Sequence, residues 1–274
     1  MRLVIILDLI VVDYGKTNRY KMTKIKYLLF LFLFITSVYA GSKKVYFYTT
    51  ESHISDFKAL SVSFEQYLDY FGDYDFQAFH KKEIFEEYLK DENIIVVLSS
   101  WHYKQISKKY KLEAKLVALK KQGIIDTKVL VGKKGSSYGG VITTAFSSQY
   151  SKELIDDFVE NSDLEMLFVP KEIDALMSVG FGMSQFALVS KDSFELLKNA
   201  NSFLAEQLEV FNESTPTYRM LVASKLKDKY NKELLNIFTT MKTKYEGKKI
   251  LNILGIDNIV ILSKSDLEQL RGTK

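Results

Sequence analysis

Residues 94–103 read IIVVLSSWHY, and the change of character in the middle of that stretch decides the fold. Ile94 to Leu98 is an unbroken apolar run, mostly β-branched, with none of the polar alternation of a half-exposed strand. It therefore predicts a strand covered on both faces, which requires helices on both sides of a sheet. Ser99 and Ser100 end the run. Serine favours the position just before a helix, because its hydroxyl accepts from N–H groups that the first turn leaves unpaired. A helix is expected to follow, near Tyr103 to Tyr110.

Outward from this point the chain alternates short β-rich runs with helical periodicity, the pattern of an α/β architecture. Before it lie a strand at Val45–Thr50, a helix at Phe57–Phe71 with apolar residues at three- and four-residue spacing, a strand at Tyr74–Phe79 and a helix at Lys82–Lys90. After it come strands at Lys115–Leu119 and Lys128–Gly132. A second block then repeats the order: strand Val141–Phe146, helix Lys152–Glu160, strand Leu164–Val169, helix Lys171–Val179 and strand Gln185–Ser190. Beyond strand-like Leu208–Phe211, helices are expected at Thr217–Ala223 and Lys232–Tyr245, and a last strand at Asn258–Leu262. Only two prolines occur, Pro170 and Pro216, and no low-complexity tract, so two lobes would be joined by ordered strands and not by a tether.

Residues 22–40, MTKIKYLLFLFLFITSVYA, have the three parts of a secretory signal peptide: Lys24 and Lys26, an uncharged apolar run from Tyr27 to Ile35, and the small-x-small ending Val38-Tyr39-Ala40 before Gly41. The run is about half of the roughly 20 residues that span a bilayer, so cleavage is expected over anchoring. Residues 1–21 do not fit that design and read as an upstream extension, with translation starting at Met22. Residues 1–40 hold six basic and two acidic side chains, so residues 41–274 carry 32 of each and a formal net charge of zero. A nucleic-acid binder needs a basic surplus, and none is present. No cysteine occurs, which excludes disulfides, thiol chemistry and lipoprotein attachment.

With its βαβ units in two blocks and a helical return, the chain resembles type II periplasmic solute-binding proteins, and within them the phosphate/phosphite/phosphonate ABC-transporter binding proteins. The stretches that carry the likeness are Ile94 to Tyr103, Val169 to Gly180 and Leu251 to Asp257. The resemblance implies two lobes, each a mostly parallel sheet flanked by helices. Lobe 1 would comprise 41–132 with a return segment at 229–274, and lobe 2 would comprise 133–228. It implies a secreted, periplasmic protein that captures a small polar, anionic solute of the phosphate or phosphonate kind between the lobes. A membrane permease of an ABC transporter would be its partner. The alternative is a sensory or interaction protein that keeps the fold and serves a membrane sensor kinase. A monomer without cofactor or metal is expected in either case. Many relatives place a Ser-Thr-Ser cradle at a helix start, where this chain offers Ser136-Ser137-Tyr138 and Thr143-Thr144.

In open α/β sheets, ligands gather beyond the carboxyl ends of strands, where helix N-termini favour anions. That rule selects Thr49, Thr50, Ser99, Ser100, Trp101, His102 and Tyr103 in the first block. In the second it selects Ser136, Ser137, Tyr138, Thr143 and Thr144. The threonine pairs are also ordinary strand residues, Ser99-Ser100 an ordinary cap, and Trp101 an ordinary core aromatic. Arg219 is added because only it and Arg271 remain after residue 40, and guanidinium is the preferred partner of phosphate or carboxylate; a surface ion pair is the competing use. His102 has no second histidine near it in sequence, which makes it a poor metal ligand. No H-E-x-x-H or Walker motif occurs, and no enzyme activity is expected.

Overall fold

The structure, a computed structural model, describes residues 42–51, 54, 56–121, 123–159, 164–225 and 231–272. The expected signal peptide, the upstream extension and the expected boundary at 228/229 lie outside the described residues.

The first sheet has six strands: β1 (Lys43–Tyr48), β2 (Tyr74–Ala78), β3 (Ile94–Leu98), β4 (Glu113–Leu119), β12 (Leu221–Ser224) and β13 (Asn258–Ile261). Their order across the sheet is β13-β4-β12-β3-β1-β2. β1 runs parallel to both β2 and β3, while β12 and β13 return antiparallel. All five residues of β3 are buried, and the side chains alternate between two cores as a pleated strand requires. Ile95 and Val97 join Leu60, Phe64 and Leu68 of α1 (Phe57–Leu68), with Leu234 and Ile237 of α8 (Asn231–Thr239) and Ile250 of α9 (Tyr245–Leu254). Ile94, Val96 and Leu98 join Phe85 of α2 (Lys82–Tyr88) and Tyr103 and Ile106 of α3 (Ser100–Tyr110). The unbroken apolar run is the sum of these two faces.

The second sheet is built the same way from β6 (Lys128–Lys133), β7 (Gly140–Thr144), β8 (Leu164–Phe168), β9 (Phe186–Ser190) and β10 (Leu208–Glu213), in the order β10-β6-β9-β7-β8. Val129 and Val131 face α5 (Glu172–Gly180) and α6 (Lys191–Ala200), whereas Leu130 faces α4 (Ser148–Phe158). The short α7 (Ser202–Ala205) precedes β10, and α10 (Lys264–Arg271) closes the chain. The α/β class expected from the periodicity is what the structure shows, with a parallel βαβ core in each sheet.

The chain crosses between the sheets twice. β4 leads through β5 (Ile125–Asp126) into β6, and β10 leads through β11 (Thr217–Tyr218) into β12; β5 and β11 pair antiparallel as a two-stranded ribbon. Lys128–Lys133, expected largely in the first lobe, therefore pairs in the second sheet, and Leu221–Ser224, expected in the second, pairs in the first. The helix expected at Thr217–Ala223 is instead two strands. Leu221 to Ser224 are buried between Leu98 to Ile95 on one side and Val117 to Glu113 on the other, so tertiary pairing overrides local preference there. α6 is not among the expected helices, although its start is capped by Ser190 accepting from Ser193 N–H at 3.3 Å.

Candidate functional site

Two helices begin at the place where the sheets meet. α3 starts after β3 in the first sheet, with Ser99 as its N-cap: the Oγ accepts from His102 N–H at 3.3 Å and shares a hydrogen bond with Thr50 Oγ1 at 2.8 Å. α4 starts after β7 in the second sheet, with Ser147 as its N-cap. The Ser147 N–H donates to the Thr50 carbonyl at 2.9 Å. Thr50 thus ties one helix start in each sheet to a single point.

The two starts are not equally satisfied. The Ser147 hydroxyl caps nothing, and neither it nor the buried Ser151 hydroxyl one turn later has a partner among the described residues. First-turn N–H groups have no acceptor inside their own helix. α4 therefore offers hydroxyl and backbone donors that the protein leaves unused. Ser147 and Ser151 are absent from the sequence candidates because the apolar pattern carries the expected strand on to Phe146 and starts the expected helix at Lys152. A serine pair directly after the last apolar residue, Ser147-Ser148, is the signal available; it repeats the Ser99-Ser100 pattern.

A buried ionic cluster adjoins this point. Lys128 Nζ, at the start of β6, lies 2.5 Å from Asp126 Oδ2 and 3.1 Å from Glu51 Oε2, and 5.1 Å above the Phe146 ring. Burial disfavours the ammonium, but the two carboxylates more than offset it and hold the lysine pKa well above its ordinary value. Asp126 would be raised by burial, yet Lys128, then Arg219 and Lys120, pull it below its ordinary value. Glu51 is raised: burial dominates, Lys128 opposes, and Asp126 and Glu172 reinforce it. Arg219 completes the cluster through Asp192 at 2.8 Å, Asp126 at 3.6 Å and the Gly123 carbonyl, which accepts from its Nε at 2.9 Å. Arg219 is thus neither on a helix nor at the surface; it is a buried brace between the crossing ribbon and α6.

The remaining sequence candidates have defined places. Thr49 Oγ1 accepts from Glu51 N–H at 3.3 Å. The Ser100 hydroxyl donates to the Tyr218 carbonyl and so ties α3 to the crossing ribbon. The Tyr103 hydroxyl donates to the Leu112 carbonyl and accepts from Ala114 N–H. His102 is fully buried, its Nε2 3.1 Å from Glu86 Oε1, and desolvation lowers its pKa despite that partner. Thr144 donates to the Leu188 carbonyl, while the buried Thr143 hydroxyl is unpaired among the described residues. Trp101 reaches across to the second half, its Nε1 donating to Glu153 Oε2 at 2.8 Å and its ring 5.2 Å from Tyr150.

Ser136, Ser137 and Tyr138 are not brought to this place. β6 runs from Lys128 at the meeting point to Lys133, roughly 16 Å along the strand, and the loop that follows lies at that far end. Tyr138 stacks there on Phe186, with a hydroxyl bond to Asn212. A groove of about 390 Å³ lies along α2 and α3 and reaches Gln149 in the first turn of α4; its charged lining is Lys82, Lys90, Lys109, Glu83, Glu86 and Glu87. Those charges cancel, which gives it no pull on an anion. Among the described residues no group of three His, Asp or Glu side chains is placed to hold a metal ion, and no helix is long and apolar enough to cross a membrane.

Residues 151–267 match the family model described as ABC transporter, phosphonate, periplasmic substrate-binding protein. The resemblance to the phosphonate-binding family is borne out. The match to this family runs from the middle of α4 to α10, and so contains Ser151, Asp192 and Arg219 but not Thr50, Ser99 or Lys128. Solved structures agree on the fold. A binding protein component of an ABC phosphonate transporter from Pseudomonas aeruginosa is 15% identical, with a TM-score of 0.57 over 84% of each chain. PhnD1 of Prochlorococcus marinus, in complex with methylphosphonate, is 13% identical, with a TM-score of 0.55 over 84% of this chain and 96% of the other. A Xanthomonas citri protein bound to ATP is 10% identical, with a TM-score of 0.59 over the same shares. No curated protein matches the chain.

Proposed function

We propose that this protein is a periplasmic receptor that closes on a small anionic solute of the phosphonate or phosphate kind and delivers it to an ABC transporter, without catalysing a reaction on it. The observation that carries the reading is the convergence of two helix N-termini, one from each sheet, on Thr50. A helix start favours negative charge by about 0.3–1 kcal/mol when exposed and more when partly buried. Ser147 and Ser151 add unpaired hydroxyls, and Lys128 a cation. The lobes of this receptor would divide at the crossing ribbon, around Lys120–Thr127 and Ser214–Met220. The solute position would then be closed by the protein's own contacts, Thr50 to Ser147, Glu51 to Lys128 and Trp101 to Glu153. Capture would proceed by hinge opening at the ribbon. Calorimetry with methylphosphonate, phosphite, phosphate and acetate tests the reading. Saturable binding of a phosphorus oxyanion, weakened by alanine at Ser147, is expected; no binding of any of the four overturns it.

A further inference from the structure

We infer that Glu51 is a built-in anionic occupant of the solute position, a side-chain carboxylate that holds Lys128 across the two lobes and must be displaced before an external anion can bind. The inference rests on the solute reading for what displaces Glu51, but not for the latch itself.

Position comes first. Glu51 directly follows Thr50, the residue on which both helix starts converge, and its side chain is 12% exposed. Oε2 lies 3.1 Å from Lys128 Nζ, whereas Oε1 is buried with no partner among the described residues. A half-satisfied buried carboxylate is a costly arrangement for a merely structural pair.

Connectivity gives the pair its meaning. Glu51 follows β1 of the first sheet and Lys128 opens β6 of the second. Asp126, the other partner of Lys128, is two residues away on the crossing ribbon and travels with it when the lobes part. Of the two ion pairs made by Lys128, only the one to Glu51 is broken by opening.

Charge then says what Glu51 does. Lys128 and Asp126 form a neutral pair, so an ionised Glu51 adds a negative charge directly beside the lysine. The charged and titratable groups facing it are Lys128 on β6, Asp126 on the ribbon, Glu172 on α5 and Tyr150 on α4. An external anion arriving while Glu51 is ionised meets repulsion at the lysine it needs. It binds once Glu51 swings away or takes a proton.

The test combines small-angle X-ray scattering of the solute-free protein with calorimetry on methylphosphonate and inorganic phosphate. Glu51→Gln is expected to enlarge the radius of gyration and to raise affinity for the anion at least tenfold. Glu51→Asp, which keeps the charge but is one methylene short of Lys128, is expected to open the protein likewise and serves if the glutamine form folds poorly. Lys128→Gln should open it as well, and the Glu51→Gln/Lys128→Gln double variant no further than either single one. A radius unchanged in both Glu51 variants, or additive opening in the double variant, overturns the latch. Opening as expected with no affinity for either anion, in wild type or variant, supports the latch and overturns the solute reading.

Discussion

The two helix starts that meet at Thr50 make an instructive pair, because the same local sequence, an apolar strand ending in Ser-Ser, is used in opposite ways. At α3 both serines are committed: Ser99 caps its helix and bonds Thr50, and Ser100 holds the Tyr218 carbonyl of the crossing ribbon. At α4 the Ser147 hydroxyl has no partner among the described residues, Ser148 is exposed, and Ser151 is buried and likewise unpaired. A satisfied hydroxyl stabilises the fold, whereas an unsatisfied buried one lowers stability and is available to a ligand. The first start is framework. The second is where recognition should lie.

The largest effect expected from breaking this arrangement comes from the cation that holds Glu51, the residue after Thr50. Lys128→Met leaves Glu51 buried without its cation and Asp126 with Arg219 alone, and loss of one partner from such a group costs about 3–5 kcal/mol. Chemical denaturation should show that loss, together with abolished anion binding. A wild-type midpoint would mean that the cluster is solvated and not buried.

Ser100→Ala comes next and sharpens the framework half. It removes the donor to the Tyr218 carbonyl and should lower stability by about 1–3 kcal/mol, while affinity measured well below the melting range stays at the wild-type value. An affinity loss larger than the stability loss would return Ser100 to the binding set.

The converse holds for the Ser147→Ala/Ser151→Ala double variant. Neither hydroxyl has a partner among the described residues and each oxygen is buried, so the free protein should be at least as stable as the wild type. Anion affinity, read by calorimetry, should fall by about 1–3 kcal/mol, the scale for hydrogen bonds to a charged group. If the pair of variants shows the reverse pattern, the contrast between the two helix starts is wrong.

The smallest expected effect is the pH response of α3. His102 is buried against Tyr48 and Phe85, and desolvation holds its folded-state pKa below the ordinary 6.5. A lowered folded pKa means that the unfolded chain takes up the proton first. The contribution is therefore present above pH 6.5 and is lost as pH falls from there through the folded value. Melting temperature should drop over that window by a few degrees at most, and the slope should flatten in His102→Gln.

Much of the scaffold is legible in the residues alone. The strand Ile94–Leu98 falls where the apolar run places it, because a run with no polar side chain and turn residues at its end fits a strand covered twice. The Ser99 cap is legible too, since capping is a contact between residues three apart. The site is legible only in part. Thr50 and Ser99 follow from the rule that ligands gather at strand ends, and the same rule with a boundary misplaced by a few residues passes over Ser147. Ser136 to Tyr138 are selected by that rule as well, and the direction of β6 carries them to the wrong end of the sheet. Nothing local marks Glu51, Asp126 or Asp192, which look like any solvated acid.

What the sequence determined by itself was the alternation of strand and helix and the residues able to start each helix, because both depend on neighbours within about four positions. What only the tertiary structure decided was partnership across long separations: β12 between β3 and β4, Glu51 against Lys128 77 residues away, and Arg219 against Asp192. Those pairings are set by the two passages of the chain through the crossing ribbon. The same lysine or arginine is a surface charge or a buried brace according to which strand end the passage delivers it to.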